Sequence, residues 1–485
     1  MRKSTFSFLT IITIILGTIT LHAQQNNNED NILFSKIDNY LTTGIDKGFS
    51  GAIAVVKNGK TLINKGYGTA NKNINTLNNP NTIFDIGSNT KQFTATAILK
   101  LAELGRLKTS DPLSKYFNNL PTDKQNITIN QLLSHTAGFL DALGRDFTKI
   151  SEKDFFHQLF KSKLLSKPGE KYAYSNTGYS ILGRIIELVS NQPYETFVNK
   201  HLFKPAGMSQ TGYLLPKWDT KQISRGYNRG ILDSGSPILR YKKDKEVNWH
   251  LKGNGGINST QNDMLLWYKA LKSGKIISKD SYKKLTAPYI SNEKEMSGYR
   301  YGWGVKNYKD STLRLTHNGS NGSFAHSLIW FPEKDIQIVY ATNANSSKVE
   351  FIAYRIAKIV LDKNHTPKPI QNNIYSFIFN YIEKNPVEKS SQLITKLKQE
   401  YKSDFTHPGV LNIIGNLKLK SNKNLKWALE LFKINTQLHP KNSNIWDSLG
   451  DGYKANNQIQ KAIVSYKKAV SLGYKDAQQK IDALK

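Results

Sequence analysis

Strand patterns occur early in this chain, at Gly51–Ile63, and return late, at Leu313–Thr316, Phe324–Phe331 and Ile336–Thr342. That separation restricts the fold, because a two-stranded ribbon is not stable alone and must find partners far away in sequence. Within the early stretch, Asn58-Gly59 divides two apolar runs and predicts a type I′ hairpin turn, which needs positive φ at both central residues. Pro332-Glu333-Lys334-Asp335 supplies the turn between the last two strands. Between the groups, helical periodicity dominates, at Ile129–Gly138, Gly178–Ser190 and, after Ser259-Thr260, Gln261–Lys272. Two further amphipathic stretches, Asn31–Lys47 and Val349–Asp362, bracket the whole. The order helix, hairpin, helical insertion, strands, helix is met by one antiparallel sheet flanked by helices, with a separate all-α lobe. This is an α+β fold, with the active site expected between lobe and sheet.

The run Asn364-His365-Thr366-Pro367-Lys368-Pro369 breaks helix and strand alike. It sets the expected organisation: a signal peptide over residues 1–23, an α+β domain over 24–363, a linker over 364–375 and a helical region over 376–485. In the last of these, Ser443–Leu472 carries Trp446, Leu449, Gly450, Tyr453, Ala462, Tyr466 and Ala469. That spacing resembles the tetratricopeptide repeat, with a degenerate copy upstream around Gly415, Ala428, Phe432 and Pro440. Such repeats imply a protein partner, and two copies need further helices to stack on. At the other end, Met1-Arg2-Lys3 precedes an apolar run from Phe6 to Leu21 and then Ala23-Gln24. This reads as a secretory signal cleaved after Ala23, the alternative being an uncleaved signal anchor. No other run reaches the ~18 apolar residues that spanning needs. A periplasmic or secreted protein without a stable membrane anchor is expected. There are no cysteines, which excludes disulfides and thiol catalysis. The formal charge of +31 is spread along the chain without a basic arm, so nucleic acid is not an expected partner.

The chemistry centres on Ser88-x-x-Lys91. A serine hydroxyl needs a base within hydrogen-bond reach to act as a nucleophile. Residues three apart share a helix face. Thr94–Leu104 has helical spacing, and Gly105 ends it. Ser88 would therefore sit at the helix N-terminus, where the peptide dipoles favour a developing anion, with Lys91 beside it. Ser-x-x-Lys also begins at Ser281, Ser291 and Ser465, so the motif gains its meaning from two others in order. Tyr174-Ser175-Asn176 lies in a loop before Gly178, and His317-Asn318-Gly319-Ser320 at the end of a strand. Together the three motifs resemble those of the serine β-lactamase and penicillin-recognising D,D-peptidase superfamily, in the branch of class C β-lactamases, D,D-carboxypeptidases and β-lactamase-like esterases. Leu133-Ser134-His135-Thr136-Ala137-Gly138, Pro205-Ala206-Gly207-Met208 and Gly255-Gly256 add to the resemblance, which covers about residues 30–362. Tyr116-Phe117-Asn118 comes too early in the order to be the second motif. Lys272-Ser273-Gly274 is a helix end and is rejected as the third.

The resemblance implies that Ser88 attacks a carbonyl to form an acyl-enzyme, with Lys91 and Tyr174 sharing the base role. It implies further that the backbone N–H groups of Ser88 and Ser320 form the oxyanion hole and that Asn176 binds the substrate amide. Gly319 lets substrate approach the strand edge, and His317, where many β-lactamases have lysine, binds a substrate carboxylate or supports Tyr174. His135 and His326 are read as structural. No His-Glu-x-x-His helix, Gly-x-Ser-x-Gly elbow or phosphate loop occurs, so neither a catalytic metal nor a cofactor is expected. The leading expectation is a secreted serine hydrolase acting on D-alanyl or related D-amino-acid peptides. The alternatives are an esterase or β-lactamase, and an idle ligand-binding module whose repeats are the working surface.

Overall fold

The computed structural model describes residues 28–287, 297–307, 312–346, 349 and 351–484. The expected signal peptide and the Ser291 match lie outside them. The chain divides into two compact units. One comprises residues up to Ile45, Phe49–Tyr227 and Asp233–Ile370; the other comprises Asp46–Gly48, Asn228–Leu232 and Gln371–Lys485.

The first unit is built on a seven-stranded antiparallel sheet. Helix α1 (residues 28–45) leads into β1 (Gly51–Lys57) and β2 (Lys60–Tyr67). Asn58 (φ 52°) and Gly59 (φ 72°) form the expected I′ turn between them. Helix α2 (Thr90–Glu103), α3 (Asn176–Ser190) and α4 (Gln261–Lys272) belong to the helical insertion. Strands β3 (Ser297–Arg300), β4 (Trp303–Asn307), β5 (Leu313–Asn321), β6 (Phe324–Phe331) and β7 (Ile336–Thr342) follow, then α5 (Ile352–Leu361). Their order across the sheet is β2-β1-β7-β6-β5-β4-β3, so β1 pairs with β7 in register Gly51 to Thr342 and closes the early and late segments into one sheet.

The period-two alternation of the strands explains the two cores. On one face Ile53, Val55, Ile329, Phe331, Ile336 and Ile338 pack on Leu33, Ile37 and Leu41 of α1 and on Ile356 and Ile359 of α5. On the other, Ala54, Leu328, Trp330 and Val339 join Phe93 and Ile98 of α2, Trp267 of α4 and the helical lobe. A sheet covered on both faces explains why β6 and β7 are buried along their whole length. Helix α2 is the central element, with every residue from Thr90 to Leu99 buried. A polar residue there must find partners inside the protein, and this decides the fate of Lys91.

Two differences from the sequence expectation concern the sheet. Strands β3 and β4 carry no clear alternation around Gly302 and Gly304, yet they pair with each other, and β4 pairs with β5. Strand β5 also continues past Thr316 to Asn321, because Asn318, Gly319 and Ser320 ladder with Ser327, His326 and Ala325. Tertiary pairing overrides their weak strand propensity. His317–Ser320 is thus strand interior rather than strand end.

The second unit is helical. Helices α6 (Gly409–Ser421) and α7 (Leu425–Leu438) form one hairpin, and α8 (Ser443–Ala455) and α9 (Ile459–Ser471) another. Gly415 faces the Phe432 ring and Gly450 faces the Tyr466 ring; a Cβ on either would meet the ring at 2.5 Å or less. The first hairpin packs Val410, Ile414, Trp427 and Leu431 on Ile374, Ile378, Leu393 and Leu397 of two preceding helices.

Candidate active site

Ser88 lies in a single 3₁₀ turn, Gly87–Asn89, that runs directly into α2. The chain enters the turn through a left-handed Gly87 (φ 51°), a conformation that favours glycine. The turn is fastened from several sides. Asp85, 1% exposed, accepts from Gly87 N at 2.7 Å through one carboxylate oxygen and from Asn321 Nδ2 through the other. Burial pushes its carboxyl up to about 6. Thr90 Oγ1 donates to Gly87 O (2.8 Å), and Asn89 Nδ2 donates to Ile86 O and to His326 O of β6.

Lys91, one turn along α2, is fully buried. Its Nζ lies 2.6 Å from Asn176 Oδ1, 2.8 Å from the carbonyl oxygen of Asn254 and 3.2 Å from Ser88 Oγ. Burial lowers its pKa to about 7, with Asp141 and Asp146 opposing the shift. A neutral amine has two N–H groups and one lone pair. Two carbonyl oxygens take the former, which leaves the lone pair for the Ser88 hydroxyl.

Tyr174 closes the group. Its hydroxyl is near enough to that of Ser88 to be influenced by it, and its ring centroid lies 4.9 Å from Lys91 Nζ. Burial raises its pKa, so the phenol is neutral at physiological pH. Asn176 opens α3, which Ser175 caps by accepting from Gly178 N. Asp141 Oδ1 accepts from both the backbone N and Nδ2 of Asn176 (3.2 and 2.9 Å), which turns Asn176 Oδ1 towards Lys91.

The third motif reaches the site from β5. Strand β4 pairs with β5 only from Leu313 to Thr316, so among the described residues the β4-side edge of Asn318–Asn321 has no strand partner. The Ser88 turn lies against this segment. A Cβ on Gly319 would stand 2.0 Å from Ile86 O and 2.9 Å from Ser88 N, and one on Gly87 would stand 2.7 Å from Ser320 N. The two backbones that carry the expected oxyanion donors are therefore in direct contact. A side chain at Gly319 would collide with the Ser88 turn, a constraint that stands beside the approach of substrate expected from sequence. Gly319→Ala is expected to destabilise the protein by roughly 1–3 kcal/mol or more, read as a lower chemical-denaturation midpoint; an unchanged midpoint would contradict the packing.

His317 is 6% exposed and both ring nitrogens are occupied. Tyr299 OH donates to Nε2 (3.0 Å) and Nδ1 donates to Asn318 O (2.8 Å). Burial, with Lys91 nearby, lowers its pKa to about 3. In this arrangement the neutral, doubly engaged imidazole carries no charge. Its ring stands 6.5 Å from Tyr174, with Tyr299 between the two motifs.

Ser88, Tyr174 and Asn176 thus converge on Lys91 Nζ, and Gly319 and Ser320 flank Ser88. The rejected motifs fall elsewhere: Gly274 (φ 74°) follows the Ser273 C-cap of α4, and Tyr116 OH donates to Asp111. Of the other Ser-x-x-Lys serines, Ser465 is buried in α9 and donates to Lys461 O. Three contributors escaped sequence reasoning: Asp85, Asp141 and the Asn254 carbonyl. The first sits two residues before Gly87, a placement compatible with an Asx turn. The other two carry no local signal.

The beta-lactamase family model matches residues 37–361. PbpX of Bacillus subtilis (strain 168) is 36% identical over 264 residues, 54% of this chain and 64% of that protein, so the match spans less than two thirds of that relative. Protein flp of Staphylococcus aureus (strain NCTC 8325 / PS 47) is 30% identical over 364 residues, 72% of this chain and 70% of its own. Among solved structures, the octameric penicillin-binding protein homologue from Pyrococcus abyssi superposes with a TM-score of 0.60 at 25% identity, covering 72% of this chain and 81% of that one. The three motifs gathered at one end of α2, the sheet order and the extent of these matches agree: the chain belongs to the beta-lactamase family of serine hydrolases.

Proposed function

We propose that this protein is an exported acyl-transferring hydrolase in which Ser88 is the nucleophile and Lys91 its base. The observation that carries the reading is the placement of Lys91 Nζ, whose two carbonyl partners leave its lone pair to Ser88 Oγ. Lys91 takes the Ser88 proton as Oγ attacks a carbonyl carbon. The backbone N–H groups of Ser88 and Ser320 receive the oxyanion as it forms. Tyr174, a neutral phenol beside Ser88, donates its proton to the leaving group and recovers one through Lys91. Water then releases the acyl group by the same path in reverse. Export rests on the N-terminal pattern of the sequence.

The substrates proposed are D-alanyl or related D-amino-acid peptides. The relationship to proteins named for penicillin binding supports this, since penicillin presents a strained amide to the same nucleophile. Neutral His317 favours a second reading, because a site without a cation there suits an ester or amide lacking a free carboxylate.

Intact-mass spectrometry after mixing with a fluorescent penicillin tests the lead reading. A covalent adduct of the penicillin's mass, or its turnover, is expected. Neither adduct nor turnover, together with no hydrolysis of p-nitrophenyl butyrate, would overturn it. Comparing a D-alanyl-D-alanine peptide with its C-terminal amide separates the substrate readings: preference for the free acid argues for a carboxylate site, and preference for the amide or an ester for the second.

A further inference from the structure

Tyr174 stands in a loop, and a loop side chain that must reach a serine needs its backbone held. Ser175 Oγ is fastened to Leu140 O, but the backbone on both sides of Tyr174 is held by one residue, His135. Its carbonyl accepts from Ala173 N (2.8 Å) and its Nδ1 accepts from Ser175 N (3.1 Å), so the two residues flanking Tyr174 are both anchored to His135. The imidazole also lies 4.3 Å from the Tyr174 ring, tilted 38° to it.

His135 bears two local costs. It adopts φ 57°, uncommon for a non-glycine residue, and with Nδ1 accepting, its proton resides on Nε2, which is buried with no hydrogen-bond partner. Left-handed backbone is unfavourable for a residue with a Cβ, and so is a buried polar group left unpaired. Strain of this kind persists where surrounding structure enforces it. The neighbouring contacts show what enforces it here. Gly169 N donates to Thr136 O and Leu165 N to Gly138 O, so two loops are laced together and His135 is the stitch beside Tyr174. The positive φ lets its carbonyl and its ring address the same loop from either side of one residue.

We propose that His135 is the positioning residue of Tyr174, holding its phenol against Ser88. This rests on the reading that Tyr174 acts on the acyl-transfer path, and the assignment extends to a residue that the sequence alone marks as structural.

The test uses the full chain, with p-nitrophenyl butyrate hydrolysis and fluorescent-penicillin acylation as readouts. His135→Ala removes the ring acceptor. His135→Asn keeps an acceptor near the Nδ1 position and tolerates positive φ. Each is made alone and with Tyr174→Phe. His135→Ala is expected to lower kcat by about 10²-fold, as displacement of a reacting group by an ångström does, with KM nearly unchanged. His135→Asn should return most of the loss. On a Tyr174→Phe background, His135→Ala should cost little more, because the group it positions is already gone. An equal loss on both backgrounds, or an equally folded His135→Asn as poor as His135→Ala, would overturn the assignment. The asparagine arm decides even where the alanine protein does not fold. A crystal structure of His135→Ala provides a readout independent of turnover: Tyr174 displaced from Ser88 is expected, and Tyr174 unmoved contradicts the proposal. Turnover surviving Ser88→Ala would instead remove the hydrolase reading, leaving the crystal structure to judge the clamp.

Discussion

Replacing Ser88 by alanine should abolish covalent capture of penicillin and lower ester hydrolysis by roughly 10⁴–10⁶-fold, the range seen when a nucleophile that works as part of a unit is removed. The protein should remain folded. Ser88 is only half-buried, and its loss deletes one oxygen from a turn held by other groups: Asp85 on Gly87 N, Thr90 on Gly87 O and Asn89 on Ile86 O. Lys91 keeps both carbonyl partners. The expected result is therefore an unfolding midpoint close to wild type beside an intact mass that no longer shifts with penicillin. The same intact mass shift on the alanine protein would move the nucleophile elsewhere and remove the basis for the roles of Lys91 and Tyr174. Tyr174→Phe combined with Ser88→Ala should add nothing further, since both act on one reaction path.

How far this site could be read from sequence depended on whether a residue's role was local. The Ser88 turn and α2 were legible because glycine, helical periodicity and a three-residue spacing are short-range signals. The I′ hairpin, β6, β7 and their turn were legible for the same reason: alternation and Asn-Gly chemistry act over a few residues. His317 shows the limit. Its position in the motif was visible, but its charge was not. Tyr299, on a strand without alternation, donates to one ring nitrogen, and burial removes the proton from the imidazole. Gly319 carries a second constraint that was not legible, because its close contact is the carbonyl of Ile86, far away in sequence. Asp141 and the Asn254 carbonyl orient Asn176 and Lys91 only through tertiary contacts, and a backbone carbonyl carries no residue-type signature at all.

Lys91→Met tests the electrostatics of the site in two ways that need not fail together. The first is kinetic. With a pKa of about 7, the amine is the available base above neutrality and is protonated below it. Wild-type kcat/KM is expected to fall about tenfold per pH unit well below pH 7 and to level off above pH 8. Methionine should lower the plateau by roughly 10²–10⁴-fold, the span of general-base contributions, and flatten the acid limb. The second is thermodynamic. An unfolded lysine holds its proton to about pH 10.4, whereas folded Lys91 releases it near 7. Between those values the unfolded state binds the extra proton, so folding stability contributed by this group rises with pH, by about 1.4 kcal/mol per unit. Below pH 7 the full cost of burying a cation is carried and stability is lowest. Methionine has no proton to lose, although it strands Asn176 Oδ1 and Asn254 O at about 1–3 kcal/mol each. Measured by urea unfolding, the stability of wild type relative to Lys91→Met should climb from pH 7 to pH 10 and be flat below pH 6. A difference that does not change with pH would mean that Lys91 remains an ammonium ion in the folded protein, and the base in this site would then have to be another group.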